Sequence, residues 1–161
     1  MLIATWNING IKARIDSLCA LLEAASPDIA CLQEIKSVDE TFPRGPIEAL
    51  GYHVETHGQK GFNGVALLSK EKPVSIEPRL PGDSSDEHAR FIEGVWDFHG
   101  RPLRVASLYL PNGNPLGTEK FTYKLAWMQR LHAHARDSMA REELLVLAGG
   151  YNILPERGGP A

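Results

Sequence analysis

Apolar residues recur along this chain with two different spacings. Short unbroken runs at residues 2–6, 28–32 and 144–148 read as strands, the last two of the buried type. Between the first two, Ile11, Ile15, Leu18 and Leu22 recur every three or four positions, the period of an amphipathic helix that Pro27 must stop. The opening stretch is therefore strand, turn, helix, strand, the seed of a layered α/β domain. A Pro- and Gly-bearing stretch at 42–51 predicts a short helix over 46–50. Strands are predicted at 52–56, 64–69, 74–78, 91–98 and 103–110, with a hairpin turn at His99-Gly100-Arg101-Pro102. Residues 81–88 read as a polar, acidic, mobile loop.

The longest helical pattern spans 119–139, with Phe121, Leu125, Met128, Leu131 and Ala135 as its apolar stripe and His132 and His134 on its solvated face. Past the last strand, the chain runs into Pro155-Glu156-Arg157-Gly158-Gly159-Pro160-Ala161, which suits no regular element.

Composition narrows the class without naming a chemistry. The 161 residues fit one domain, and 43% apolar with 23% charged is ordinary for a globular chain. No apolar run approaches the ~20 residues that span a bilayer, and Met1–Asn7 lacks a signal-peptide pattern. Cys19 and Cys31 show no Cys-x-x-Cys spacing, so a reducing cytoplasm is expected. A net charge of −3 leaves any nucleic-acid contact to a local basic face or a divalent ion.

Chemistry enters at the strand ends. Four strands finish in polar residues: Asn7, Glu34, Tyr109 to Asn112, and Tyr151-Asn152. Open α/β sheets place ligands in the crevice beyond such ends. A lone carboxylate there suits Mg²⁺, which leans on substrate phosphates, and amide and phenol donors suit a phosphodiester. Singly, each residue has a plainer role. Asn7 and Asn152 can cap turns, Tyr109 can be a core aromatic, Glu34 can pair with Lys36, and Arg90 can end a loop.

Several stretches then match a known family in order. They are Thr5-Trp6-Asn7-Ile8-Asn9-Gly10, Leu32-Gln33-Glu34-Ile35-Lys36, Gly58-Gln59-Lys60-Gly61-Phe62-Asn63-Gly64-Val65-Ala66, Glu87-His88-Ala89-Arg90 and Ser107-Leu108-Tyr109-Leu110-Pro111-Asn112-Gly113. Phe121 to Met128 follow suit. Together they resemble the N-terminal half of bacterial exonuclease III, a Mg²⁺-dependent exodeoxyribonuclease and abasic-site endonuclease of DNA repair. The resemblance implies a deoxyribonuclease I-like α/β sandwich, of which residues 1–161 supply about one half: one mixed sheet with flanking helices. It makes Glu34 the principal ligand of Mg²⁺, or of Mn²⁺ in its place, with Asn7 beside it. Tyr109 contacts the scissile phosphate, Asn152 holds phosphate or water, and Arg90 and Asn112 face the DNA backbone. The implied partner is double-stranded DNA at abasic sites or 3′ ends, with no membrane; oligomeric state is left open.

Two departures stand out. The family's Gly-Asp-Tyr/Phe-Asn reads Gly149-Gly150-Tyr151-Asn152 here, so Gly150 replaces a catalytic aspartate. Glu156, past a proline, is a poor substitute. The family's second half, with its closing Asp-His pair, is expected to be absent, leaving the inner sheet face uncovered. The leading expectation is a partial exonuclease III with weak or no activity. Its rival is a non-catalytic DNA- or partner-binding fragment that dimerises through the uncovered face. A phosphodiesterase for lipid, nucleotide or RNA fits the Gly58 and Tyr109 segments less well.

Overall fold

The computed structural model describes residues 1–153, so the expectations for Pro155 to Ala161, Glu156 included, lie outside the described residues. Its strands are β1 (Ile3–Asn7), β2 (Ile29–Gln33), β3 (His53–His57), β4 (Val65–Ser69), β5 (Ser75–Glu77), β6 (Phe91–Phe98), β7 (Arg101–Tyr109) and β8 (Leu144–Gly150). Its helices are α1 (Ile11–Ala25), α2 (Arg44–Glu48) and α3 (Glu119–Ala140). The predicted elements are all present, with ends displaced by a few residues at most. None of these helices is long and apolar enough to cross a membrane.

The apolar period in α1 works as its spacing implies: Ile11, Leu18 and Leu22 are buried. The helix ends at Ser26, whose left-handed backbone (φ 46°) lets its N–H reach the Leu22 carbonyl at 3.0 Å before Pro27. α1 carries the chain from β1 to a parallel β2, and α3 carries it from β7 to a parallel β8. Both crossovers therefore bring strand C-termini to the same end of their sheets.

The strands form two sheets of four, ordered β1-β2-β4-β3 and β5-β6-β7-β8. This corrects the expectation of one mixed sheet with a bare inner face. Ile29, Cys31, Val65 and Leu67 of the first sheet meet Ile92, Trp96, Leu103 and Val105 of the second. The outer face of the first sheet, with Ala30, Leu32, Ala66 and Leu68, packs on α1 and α2. Phe91, Ala106 and Leu108 of the second pack on Trp127 and Leu131 of α3. The architecture is thus a four-layer sandwich, and its inner strands read as continuous apolar runs because both of their faces are buried. The chain makes the second sheet itself because the hairpin at His99-Gly100 and the α3 crossover pair β6, β7 and β8 with each other. The two inner faces cover each other at β2, β4, β6 and β7, while the edge strands β1 and β8 stay only partly buried.

Three further expectations are corrected. Trp127 is the largest fully buried side chain of α3, whereas Leu125 is 44% exposed, because the helix turns its largest side chain inward. His134 faces inward, where its Nε2 lies 2.7 Å from Oε2 of the buried Glu93; His132 is exposed. The 81–88 loop is pinned at Asp86, which accepts hydrogen bonds from Tyr123 (2.8 Å) and Arg130 (2.9 Å).

A polar stitch joins the sheets near the strand ends. The buried Ser107 hydroxyl accepts from Gln33 Nε2 at 2.9 Å and donates to the Leu32 carbonyl at 2.8 Å. It fixes the height of β7 against β2, one residue before Glu34 and two before Tyr109.

Candidate active site

Glu34 follows β2 directly, and its backbone is left-handed at φ 50°. That conformation is uncommon for a residue with a side chain and concentrates at functional sites. It is held by the Gly10 N–H donating to the Glu34 carbonyl at 2.8 Å and by flanking bonds from Ile35 and Lys36 to Gly64 and Asn63. The half-buried carboxylate accepts from Asn7 Nδ2 at 3.1 Å on Oε1 and has Lys36 Nζ 3.6 Å from Oε2. Asn7 also caps its own turn, accepting the Asn9 N–H at 3.2 Å on Oδ1. The plain roles of Asn7 and Glu34 and their clustering are both present.

Across the crevice, Tyr109 ends β7, and its hydroxyl is near enough to the Glu34 carboxylate and the Asn152 amide for both to act on its titration. Partial burial pushes the phenol above its ordinary pKa, and the neighbouring Glu34 carboxylate adds to this, against Asn152 and Arg90. Burial alone would raise Glu34 too, but the Tyr109 hydroxyl, the Asn7 amide and the Lys36 charge outweigh it and hold the carboxyl below its ordinary value. The pair is therefore an ionised carboxylate facing a protonated phenol at neutral pH. Asn152, left-handed at φ 47°, donates Nδ2 to the Leu110 carbonyl at 2.8 Å, and its own carbonyl accepts from Lys124 at 2.7 Å.

Arg90 and Asn112 stand beside this cluster, sharing with it the Tyr109 side chain. The Arg90 guanidinium lies 5.4 Å from the centroid of the Tyr109 ring. Gly150 sits opposite Tyr109 in the β7–β8 ladder. A Cβ built on Gly150 would stand 3.4 Å from the Tyr109 ring, ordinary contact, so the position accepts an aspartate sterically. Its neighbour does not: Gly149 has φ 146°, and a Cβ there would lie 1.9 Å from the Leu108 carbonyl oxygen. Gly149→Ala is accordingly expected to destabilise the fold by at least about 1–3 kcal/mol, read by urea unfolding. A variant as stable as the parent would show that β8 can shift away from β7.

Sequence reasoning missed Gln33 and Ser107. Their signal was present, since each is a hydrogen-bonding side chain inside an apolar run, where burial demands a partner.

A family model for the endonuclease/exonuclease/phosphatase family matches residues 4–161. Exodeoxyribonuclease III of Haemophilus influenzae is 38% identical over 152 residues, covering 94% of this chain and 57% of that protein. Among solved structures, a Neisseria 3′ phosphatase bound to a product DNA hairpin superposes with a TM-score of 0.90 at 36% identity, over 97% of this chain and 59% of that one. An AP endonuclease from Archaeoglobus fulgidus gives 0.87 at 36% identity, over 97% and 59%. The chain thus spans a little under three fifths of the length of these relatives.

Proposed function

This chain belongs to the endonuclease/exonuclease/phosphatase family, and from that premise we propose that it acts on DNA phosphodiester bonds as an exonuclease III-type, divalent-metal-dependent hydrolase, slowed by Gly150. The observation that carries the reading is the meeting of Asn7, Glu34, Tyr109 and Asn152 at one strand-end crevice. The substrate we assign is duplex DNA at abasic sites or 3′ ends, and the compartment is the cytoplasm.

The donor set fits Mg²⁺ or Mn²⁺. Among the described residues no group of three or more His, Cys, Asp or Glu could cage a metal. One ionised carboxylate, completed by water and substrate phosphate oxygens, is the Mg²⁺ mode. When bound at Glu34, the ion would polarise the phosphoryl oxygen and offset developing charge. The protein's own residues do the rest. Asn7 orients the Glu34 carboxylate. The Tyr109 hydroxyl, kept protonated, donates to a phosphate oxygen, and Asn152 steadies that hydroxyl and the phosphate. Arg90 and Asn112 face the DNA backbone and set register without reading bases. Gly150 offers no acid or base beside Tyr109, which costs about 10²–10⁴ in rate.

A labelled duplex carrying one abasic site and one recessed 3′ end, with Mg²⁺ or EDTA, tests the reading. DNA binding is expected to rise with Mg²⁺, with cleavage absent or at least about 10²-fold below the H. influenzae relative. Gly150→Asp alone is expected not to restore it, since Glu34 would be the sole other acid in the described crevice. Fast cleavage by the unmodified chain would refute the slowed site, and DNA binding indifferent to Mg²⁺ would refute the metal site.

A further inference from the structure

We propose that Asn112 is a site of spontaneous deamidation, closing on the Gly113 backbone nitrogen, and that this slow reaction sets an expiry on DNA binding at the crevice. The modification itself stands apart from the DNA reading; its consequence for binding rests on that reading.

Three asparagines of this chain, Asn9, Asn63 and Asn112, are each followed by glycine. Deamidation needs a backbone nitrogen free to attack the side-chain amide and a following residue without a side chain to hinder ring closure. All three have the second; the structure separates them by the first. The Gly10 N–H donates to the Glu34 carbonyl at 2.8 Å, and the Gly64 N–H to the Ala89 carbonyl at 2.8 Å. Each of these bonds must break before its nitrogen can attack. Asn63 is held further, its Nδ2 donating to Gln59 Oε1 at 3.0 Å. The Gly113 N–H meets no acceptor among the described residues.

The electrophile is prepared as well. Asn112 is exposed, and its Oδ1 accepts the Asn114 N–H at 3.1 Å. That donor polarises the side-chain carbonyl and offsets the charge that grows on its oxygen as a nitrogen adds to Cγ. Asn9 Oδ1 has a stronger donor, Lys36 Nζ at 2.5 Å, so between these two the state of the glycine nitrogen decides. Packing keeps the vulnerable residue in place. A Cβ built on Gly113 would stand 2.7 Å from Lys124 Cδ and 3.2 Å from Phe121 Cδ2. The seat against α3 therefore demands the residue that leaves ring closure unhindered.

In the reaction the Gly113 nitrogen bonds to Asn112 Cγ, and the side-chain amide nitrogen leaves as ammonia with the proton that Gly113 gives up. The product is a succinimide ring. Water then opens it, breaking either the new C–N bond to give aspartate or the original peptide C–N bond to give isoaspartate. One water is consumed and one ammonia released, with no change of oxidation state. Either product carries a carboxylate, and isoaspartate also adds a methylene to the main chain. Arg90 and Asn112 line one cavity, and no carboxylate is among its lining residues. The new acid would be the first there, set against the guanidinium and against any phosphate it holds.

The test ages the purified chain at mildly alkaline pH, folded and in urea, and maps its peptides by mass spectrometry. In the folded chain Asn112 is expected to deamidate at least about fivefold faster than Asn9 or Asn63, the factor that one backbone hydrogen bond supplies. In urea the three rates are expected to converge. Asn112→Gln, whose longer side chain disfavours ring closure, is expected to stop the reaction at that position. Asn112→Asp is expected to bind a labelled duplex about tenfold more weakly than the fresh parent at low salt, as the aged parent should, with the gap narrowing as salt rises. Equal rates at the three sites in the folded chain, or the same spread of rates in urea, overturn the proposal. Aged chain converted at Asn112 that binds DNA as tightly as fresh chain overturns the expiry. A fresh parent that binds no DNA overturns the DNA reading and leaves the modification standing.

Discussion

Arg104→Leu is expected to destabilise the protein by about 3–5 kcal/mol, the loss seen when one partner of a buried ion pair is removed. Glu93 is 2% exposed on β6 beneath α3. Arg104 Nη1 donates to its Oε1 at 2.6 Å, and His134 occupies its Oε2 at 2.7 Å. The same guanidinium donates through Nε to Glu143 at 2.7 Å, tying the start of β8 to β7. Without it, a buried carboxylate keeps only His134. Glu93→Leu with Arg104→Leu removes both charges and is expected to recover most of the loss, as read by urea unfolding at neutral pH. The acid limb of stability has the same origin. Burial alone would raise the Glu93 carboxyl, but His134 and Arg104 outweigh it and hold it below its ordinary value. A depressed folded pKa gives stability that is present above the unfolded value, about 4.3 for Glu, and is lost as pH falls through the folded one. The melting temperature should therefore fall in acid, and Glu93→Gln should lack that part of the fall. An Arg104→Leu variant within 1 kcal/mol of the parent would show the cluster to be dispensable.

Glu34→Gln is expected to reverse the sign of a second effect. In EDTA the carboxylate repels DNA phosphate, so the variant should bind duplex DNA more tightly than the parent. With Mg²⁺ the order should invert, because the parent gains a metal bridge and the variant does not. The loss of Mg²⁺ stimulation should reach about tenfold or more, since even residues that only orient a metal ligand are worth 10–100-fold. Stability should hardly move, because the Lys36 pair at 3.6 Å is partly exposed. Equal Mg²⁺ stimulation in parent and variant would remove Glu34 from metal binding.

Most of the element order was legible because the periods of two and 3.6 are set by burial, and burial was regular. What stayed hidden was layer assignment. A strand such as Val65–Ser69, apolar at every position, carries no mark of which sheet faces it, so the second sheet went unread. His134 was misplaced for a related reason: a histidine beside polar residues looks solvated until a buried acid on another strand is known to face it. At the site, the strand-end rule brought out Asn7, Glu34, Tyr109 and Asn152 before any family likeness. Tyr123 and Asp86 stayed silent, because their contact spans 37 positions and neither lies at a strand end.

The Ser107 hydroxyl, bonded to Gln33 and to the Leu32 carbonyl, has a bearing on tolerance. The separation of Glu34 from Tyr109 is gauged from inside the sandwich, by a bond made before either strand ends. Surrounding loops can lengthen or change sequence without resetting that gauge, whereas a single methyl in place of the hydroxyl would. Alignment at this crevice is thus a property of the interior, and its surroundings are free to vary around it.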